Sequence, residues 1–522
     1  MPTLTVSVFV QIAILLFVVR AAIIAMPKGT DRDAIDLFLF GRNSSVGIKK
    51  NSLTWTAVAS YFQAATSLVL GFEFGYYYGL LVVLTAVSFG VGIYLLWYVF
   101  SSSRQLFGNY ELERIRFPFD VALHRQSQSA KLVINILVYV VIPFSAVIEV
   151  WYASSIIEEI YLGVAEQVRS PILGFESWIG AVAFITISFV LAIYVTLSGY
   201  KSVVATDKIQ VFLIFTAVAS FFVGSVSALW DTQTFALNVF FLGALGSDAS
   251  TASIWLVSFV IGGVTLNGLW QFVEPQQWHR AASAENVQVY KSSLPKAAFS
   301  TCALWVVPAM LGAVFAATGE DVSGYVRISA IPFVEVFQAL GAGILAQIAL
   351  AIAVSGIIAA ALSSSDTVIM AFVARVAHLL GESSISIFNI RVLSLSVSVL
   401  IIIAAWIFYI QSPNVVSVIF AVFPAQLFFF GIFWKYVRYG GKITLNFRAT
   451  YLIVPTYAIC LLSSVLLNIF PGIFSNTWET AVSNAAVLMP VAIALLGWLV
   501  ATLTVEQKNS LKTEPHTTPA ID

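Results

Sequence analysis

Ser363, Asp366 and Thr367 stand at spacing i, i+3, i+4 inside an apolar run, so on a helix they project to one side. Ser364 is turned by about 100° from Ser363 and faces a neighbouring direction. Several side-chain oxygens and one negative charge in a small volume are what a hard cation such as sodium needs. The plainer alternative is that the hydroxyls bond back to the carbonyl four residues earlier. Asp207, in the stretch Thr206-Asp207-Lys208-Ile209-Gln210, is a second carboxylate of this kind, or it pairs with the adjacent Lys208. Glu73 and Glu149 also lie in apolar stretches. At mid-membrane each carboxylate costs roughly 2.5–3.5 kcal/mol on insertion scales, so each is a candidate functional residue.

The composition says what surrounds these groups. The chain of 522 residues is 59% hydrophobic and 10% charged, with a mean hydropathy of +0.93. Soluble domains carry about 45–50% apolar and about 25% charged residues, so this is a membrane composition, with the lipid bilayer as a partner. Lys+Arg equals Asp+Glu at 26 each, which removes any charge argument for a nucleic-acid partner. Cys302 and Cys460 sit in apolar runs and suggest neither a disulfide framework nor a metal site. The histidines, His124, His279, His378 and His516, are far apart, read as residues of polar connections or of the tail, and have no zinc spacing. With no Gly-rich phosphate loop and no nucleophile elbow, nothing reads as an enzyme. Nor is there a sign of an obligatory protein partner.

Apolar stretches near the ~20 residues needed to cross a bilayer recur along the chain. The expected fold is an all-α polytopic membrane protein with thirteen transmembrane helices. They fall at roughly 4–26, 53–73, 80–100, 131–157, 175–198, 203–230, 251–274, 297–318, 338–365, 391–410, 413–434, 450–470 and 482–504. The first, Leu4 to Met26, lacks a basic leading region and a cleavage site, so it reads as a retained span rather than a signal peptide. Residues from about Glu506 to Asp522 read as a polar, disordered tail.

Placing the first connection in the cytoplasm puts nearly all basic residues on that side, including Lys28, Lys49, Arg104, Lys131, Lys201, Arg280, Arg375 and Lys435. Only Arg20, Arg169 and Arg327 fall elsewhere. The expectation is an integral plasma (inner) membrane protein with the amino terminus outside and the carboxyl terminus cytoplasmic.

The second to sixth spans then begin inside and the seventh to eleventh outside. Two five-helix blocks of opposite orientation are what an inverted repeat requires, with the binding site where the first helix of each block is broken. The expected organisation is an extra N-terminal helix in 1–30, repeats in 51–235 and 251–436, two C-terminal helices in 447–505 and the tail in 506–522. Ser60, Gln63, Thr66, Ser67 and Gly71 give the second span a breakable texture. Gly262, Gly263, Thr265, Asn267 and Gly268, followed by Pro275, do so for the seventh, unless the small residues only pack helices closely.

Four stretches in order carry a family resemblance: Asp36-Leu37-Phe38-Leu39-Phe40-Gly41-Arg42, Gly199 to Gln210, Pro275-Gln276-Gln277-Trp278-His279-Arg280, and Ala359-Ala360-Ala361-Leu362-Ser363-Ser364. On these the chain resembles the sodium/solute symporter family, which includes proline, sugar, sialic-acid, choline and pantothenate carriers. The resemblance implies a leucine-transporter-like inverted repeat working by alternating access, with Na+ as coupling ion. It implies a main sodium site of the Tyr61, Ala64 and Ala360 carbonyls with the Ser363 and Ser364 hydroxyls. A second cation site would match Asp207, Ser363, Asp366 and Thr367. The solute site would lie between the first and sixth core helices, with Trp270 as aromatic gate and Asn267 as polar contact.

Two departures stand out. Asp366 replaces what is usually a hydroxyl residue, so two carboxylates would share the lower site, which then holds sodium more firmly or carries H+. Leu68 stands where sugar carriers tend to have a polar residue. Gln63, Asn267, Trp270 and Gln271 suit a small polar or zwitterionic solute: an amino acid, a quaternary amine or a carboxylate. The expected function is sodium-coupled symport. A proton-coupled carrier of the same fold and a solute sensor without flux are the alternatives.

Overall fold

The computed structural model describes residues 5–27, 32–41, 48–102, 141–165, 175, 177–229, 235–246, 250–319, 322, 325, 327–341, 343–380, 385–411, 415–439, 443–446, 449–469 and 479–507. The start of the fourth expected span, the basic residues Arg104 to Lys131, and Arg42, Arg169, Lys508 and Lys512 lie outside the described residues, as does the tail beyond Gln507.

The described chain is a helical bundle. Helix α1 (Thr5–Ile24) precedes the short α2 (Arg32–Phe40). Next come α3 (Lys50–Tyr61), a π-helix (Ala64–Glu73), α4 (Phe74–Tyr78), α5 (Val83–Ser102) and α6 (Pro143–Ala165). A run α7 (Trp178–Leu229), α8 (Leu237–Gly246), α9 (Ser250–Val273), α10 (Pro275–Ser283) and α11 (Val287–Thr318) follows. The rest is α12 (Ile331–Ala339), α13 (Ile344–Leu380), α14 (Ile387–Gln411), α15 (Val415–Val422), a 3-10 turn (Phe423–Phe429), α16 (Phe430–Arg438), α17 (Ala449–Ile469) and α18 (Glu479–Thr504). Among the described residues nine helices are long and apolar enough to cross a membrane. The remaining expected spans correspond to helices that are shorter, broken or partly outside the described residues.

Two helices are interrupted where it matters. Between α3 and the π-helix, Phe62 (φ −80°, ψ 89°) and Gln63 (φ −89°, ψ 118°) leave helical geometry without a glycine or proline. Between α9 and α10 the break is at Glu274 (φ −70°, ψ 119°). The cause is Pro275, which disfavours helical geometry in the residue before it and suits the first turn of a new helix. The glycine-rich stretch Gly262–Gly268, expected to loosen the seventh span, is continuous helix. Its glycines admit neighbours: a Cβ on Gly262 would stand 1.8 Å from the Val487 carbonyl oxygen, and one on Gly263 2.8 Å from Thr85 Cγ2.

Both breaks leave carbonyls without helical partners, and buried backbone must be satisfied within the protein. An indole serves each. Trp305 Nε1 donates to the Tyr61 carbonyl at 3.0 Å, and Trp278 Nε1 donates to the Phe272 carbonyl at 3.0 Å.

Helix α7 joins the fifth and sixth expected spans through Gly199, which bends the chain at φ +60°, ψ −152°. A side chain there would meet the Phe38 carbonyl oxygen at 2.3 Å. Helix α2 therefore lies directly on this joint, which gives a packing reason for two of the stretches that carry the resemblance. Helix α13 runs on to Leu380, well beyond the expected end near 365. Ser363–Thr367 consequently sit at the middle of a 37-residue helix rather than toward its end. Strands β1 (Ile443–Leu445) and β2 (Val505–Gln507) pair antiparallel, which ties the start of the polar carboxyl segment to the connection after α16 and puts both on one side of the bundle.

Candidate functional site

Helices α7 and α13 pack along each other, and α3 crosses both. At their junction the Ser363 hydroxyl donates to Asp207 Oδ1 at 3.1 Å. Thr367 Oγ1 donates to the Ser363 carbonyl at 3.0 Å and to Asp366 Oδ1 at 3.1 Å. All four residues are fully buried. The Oδ2 atoms of Asp207 and Asp366 have no hydrogen-bond partner among the described residues. Thr56 on α3 lies beside Asp207, and Arg280 is the basic group in its field. Asp207 and Asp366 are joined through Ser363 and Thr367 rather than by a contact of their own. A buried carboxylate oxygen without a donor is costly unless a cation or proton neutralises it. The donor set, two carboxylates with hydroxyls around them, fits a hard cation by its chemistry.

The remaining residues matched to the main sodium site are distributed around this junction. Tyr61 ends α3, Ala64 opens the π-helix, and Ala360 and Ser364 lie one turn apart on α13. Ser364 Oγ donates to the Ala360 carbonyl at 2.9 Å, and the Tyr61 carbonyl accepts from Trp305. In this conformation the Tyr61 and Ala360 carbonyls both accept from protein side chains.

A cavity of about 100 Å³ lies beside the first break. Gln63, Asn267 and Trp270 line it, together with Phe89, Trp305 and Phe423. Asn267 Nδ2 donates to the Thr85 carbonyl at 2.8 Å, and Trp270 stands edge-on to Phe423 with centroids 5.0 Å apart. Gln63 Nε2 reaches Ser145 Oγ at 3.4 Å. Gln271 does not line the cavity. It is buried on another side of α9, where its Oε1 accepts from Gln277 Nε2 at 3.1 Å.

Sequence reasoning missed a buried polar group beneath the cavity. Glu274, at the second break, lines the cavity and accepts from the Tyr61 hydroxyl at 3.0 Å. Arg280, expected in an exposed connection, is completely buried: its guanidinium lies 4.4 Å from the Tyr61 ring centroid. Its Nη2 donates to Ser60 Oγ at 2.5 Å and to Gln276 Oε1 at 3.0 Å. His279, also expected in a polar connection, is buried with its ring stacked on Phe40. A signal for Glu274 was available, since a residue directly before a proline that opens a helix must sit at a break. Nothing local pointed to Arg280, whose partner Ser60 is 220 residues away. Glu149 lines the cavity too, and Glu73 accepts from Ser329 Oγ at 3.1 Å near the far end of the π-helix.

No protein-family profile matches the chain, and no curated protein sequence matches it. Solved structures do. One is a Na+-coupled sialic acid symporter in a substrate-bound outward-open state, with TM-score 0.62 at 14% identity over 96% of this chain and 99% of that one. Mhp1, a nucleobase-cation-symport-1 family transporter closed around bromovinylhydantoin, gives TM-score 0.46 at 12% identity, covering 88% and 94%. MhsT in complex with L-phenylalanine gives 0.42 at 15% identity, covering 88% and 100%. The chain is an integral membrane protein with the leucine-transporter-like fold, its first and sixth core helices broken. Two of these structural neighbours are transporters, and all three hold a small molecule.

Proposed function

We propose that the protein is a secondary transporter of the sodium/solute symporter type, which couples inward sodium movement to symport of a small polar organic solute by alternating access. The observation that carries this reading is the fully buried Asp207–Ser363 hydrogen bond. It stands at mid-helix with an unpartnered carboxylate oxygen, in a fold whose broken helices flank a solute-sized cavity. The sodium coupling of the sialic acid symporter that shares this fold favours the same reading.

In this reading Tyr61, Ala64, Ala360, Ser363 and Ser364 hold the main sodium. Asp207, Ser363, Asp366 and Thr367 hold a second cation, sodium or a proton in its place. Sodium at the main site would release the Tyr61 carbonyl and the Ser364 hydroxyl toward the ion, fixing α3 against α13. At −100 mV each sodium is driven by about 2.3 kcal/mol electrically. A tenfold gradient adds about 1.4 kcal/mol. One ion thus supports several-hundred-fold accumulation of a neutral solute, and one intact site suffices.

The basic residues of the connections favour a plasma-membrane protein with the carboxyl terminus cytoplasmic. The test is the thermal stability of the purified full-length protein in sodium against potassium at equal ionic strength. A rise in Tm specific to sodium and absent in Ser363→Ala is expected. Equal melting in both salts, with a Tm that follows pH alone, would move the coupling ion to the proton.

A further inference from the structure

We infer that the solute carries a positively charged nitrogen, so that the protein takes compact organic ammonium compounds rather than sugars or simple carboxylates. The inference rests on the reading of the cavity as the solute site and names the solute class for it.

Among the described residues the cavity wall contains two carboxylates and no basic side chain. Glu149 comes from α6 and Glu274 from the break between α9 and α10, and both are almost wholly buried. Arg280, the basic group that acts on Glu274, does not line the cavity. It lies against the Tyr61 ring, hydrogen-bonds to Ser60 and Gln276, and acts on Glu274 through its charge from behind the wall, leaving the cavity face of the wall acidic. The uncharged wall includes several aromatic rings, with Phe89, Trp270, Trp305 and Phe423 among them. Carboxylates placed among aromatic faces are the environment that an ammonium group prefers, through charge pairing and cation–π contact. A bare solute carboxylate would instead enter a space already holding like charge.

The break geometry argues the same way. In this fold the amino-terminal end of a half-helix is where a solute anion is commonly received. Here that position, at the start of α10, is occupied in sequence by Glu274, whose side chain makes no capping hydrogen bond and lines the cavity instead. The protein thereby supplies at this end the negative charge that a solute would otherwise bring. The size is consistent as well. About 100 Å³ is well below the roughly 300–1,000 Å³ of sites for drug-sized ligands, so the solute is compact.

The test uses probe pairs that differ in one atom. Choline is compared with 3,3-dimethylbutan-1-ol, and glycine betaine with 3,3-dimethylbutanoate, in which carbon replaces the charged nitrogen. L-Proline, glucose and acetate complete the panel. Sodium-dependent Tm shifts and solute-evoked charge movement are read on the full-length protein. The expected result is a sodium-dependent response to at least one ammonium compound and none to its carbon analogue. In Glu274→Gln the concentration for half-maximal response should rise about 30-fold or more. If Glu274→Gln does not fold, Glu149→Gln and the wild-type probe pairs carry the same decision. A response to glucose, acetate or the carbon analogues, with none to the ammonium compounds, would overturn the inference and leave the solute site standing. Silence to every probe from a well-folded protein would overturn the solute-site reading and the inference together.

Discussion

The Tyr61 hydroxyl donates to Glu274 Oε2 across 3.0 Å, joining the last residue before one helix break to the residue at which the other helix breaks. The same tyrosine presents its carbonyl to Trp305 and its ring to Arg280. One residue therefore touches the cavity wall, a proposed sodium ligand position and the buried guanidinium. Anything that moves Glu274 is felt at Tyr61.

Tyr61→Phe keeps the ring and the carbonyl but leaves Glu274 without this donor. A buried acceptor so deprived costs about 1–3 kcal/mol. The Tm should fall accordingly, and the solute concentration for half-maximal response should rise. A variant with unchanged melting and unchanged solute response would show that the hydrogen bond contributes nothing to the site.

Trp305→Phe removes the donor from the Tyr61 carbonyl while keeping an aromatic ring against Phe89, whose present stack has centroids 4.6 Å apart. Without sodium the carbonyl would be unsatisfied, at a cost of about 1–3 kcal/mol. With sodium the ion would satisfy it. The sodium-free protein should therefore melt lower, and the stabilisation produced by sodium should grow. An unchanged sodium response would separate the Tyr61 carbonyl from the ion.

Asp366→Ser restores the hydroxyl residue that the family resemblance leads one to expect. It removes one buried negative charge and leaves Ser363 bonded to Asp207. The sodium dependence of activity or its pH profile should shift by about tenfold in half-saturating ion, about 1.4 kcal/mol. If both profiles stay where they are in the wild type, Asp366 has no part in ion binding.

Gly312→Ala probes packing rather than chemistry. A Cβ there would stand 1.9 Å from the Phe72 carbonyl oxygen, because α11 meets the π-helix backbone to backbone. Forcing the two apart should cost about 1–3 kcal/mol in stability. The measurement is Tm, and a wild-type value would mean that the helices separate without penalty.

The sequence revealed some of this arrangement and concealed the rest, for physical reasons. Apolar runs identified membrane spans because bilayer thickness fixes helix length. The spacing of Ser363, Asp366 and Thr367 on one helix was legible, since helical periodicity is local. The partnership of Ser363 with Asp207 lay between residues far apart in the chain and needed the family resemblance to suggest it. The break at Phe62–Gln63 has no Gly or Pro, and long-range bonds such as Trp305 to Tyr61 hold it. Gly262 and Gly263 looked like part of a break and serve close packing, because the same residue type suits both uses. Arg280 looked like a connection residue because hydropathy counts its polarity and cannot count the tyrosine ring and serine that bury it.

The most direct measurement of sodium-coupled symport is charge movement in proteoliposomes challenged with amino acids, betaines, carboxylates, sugars and urea, each with and without sodium. The expected result is a solute-evoked current that requires sodium and disappears in Ser363→Ala. Solute currents that persist without sodium and follow a pH gradient would contradict sodium coupling and put the proton at Asp207 and Asp366.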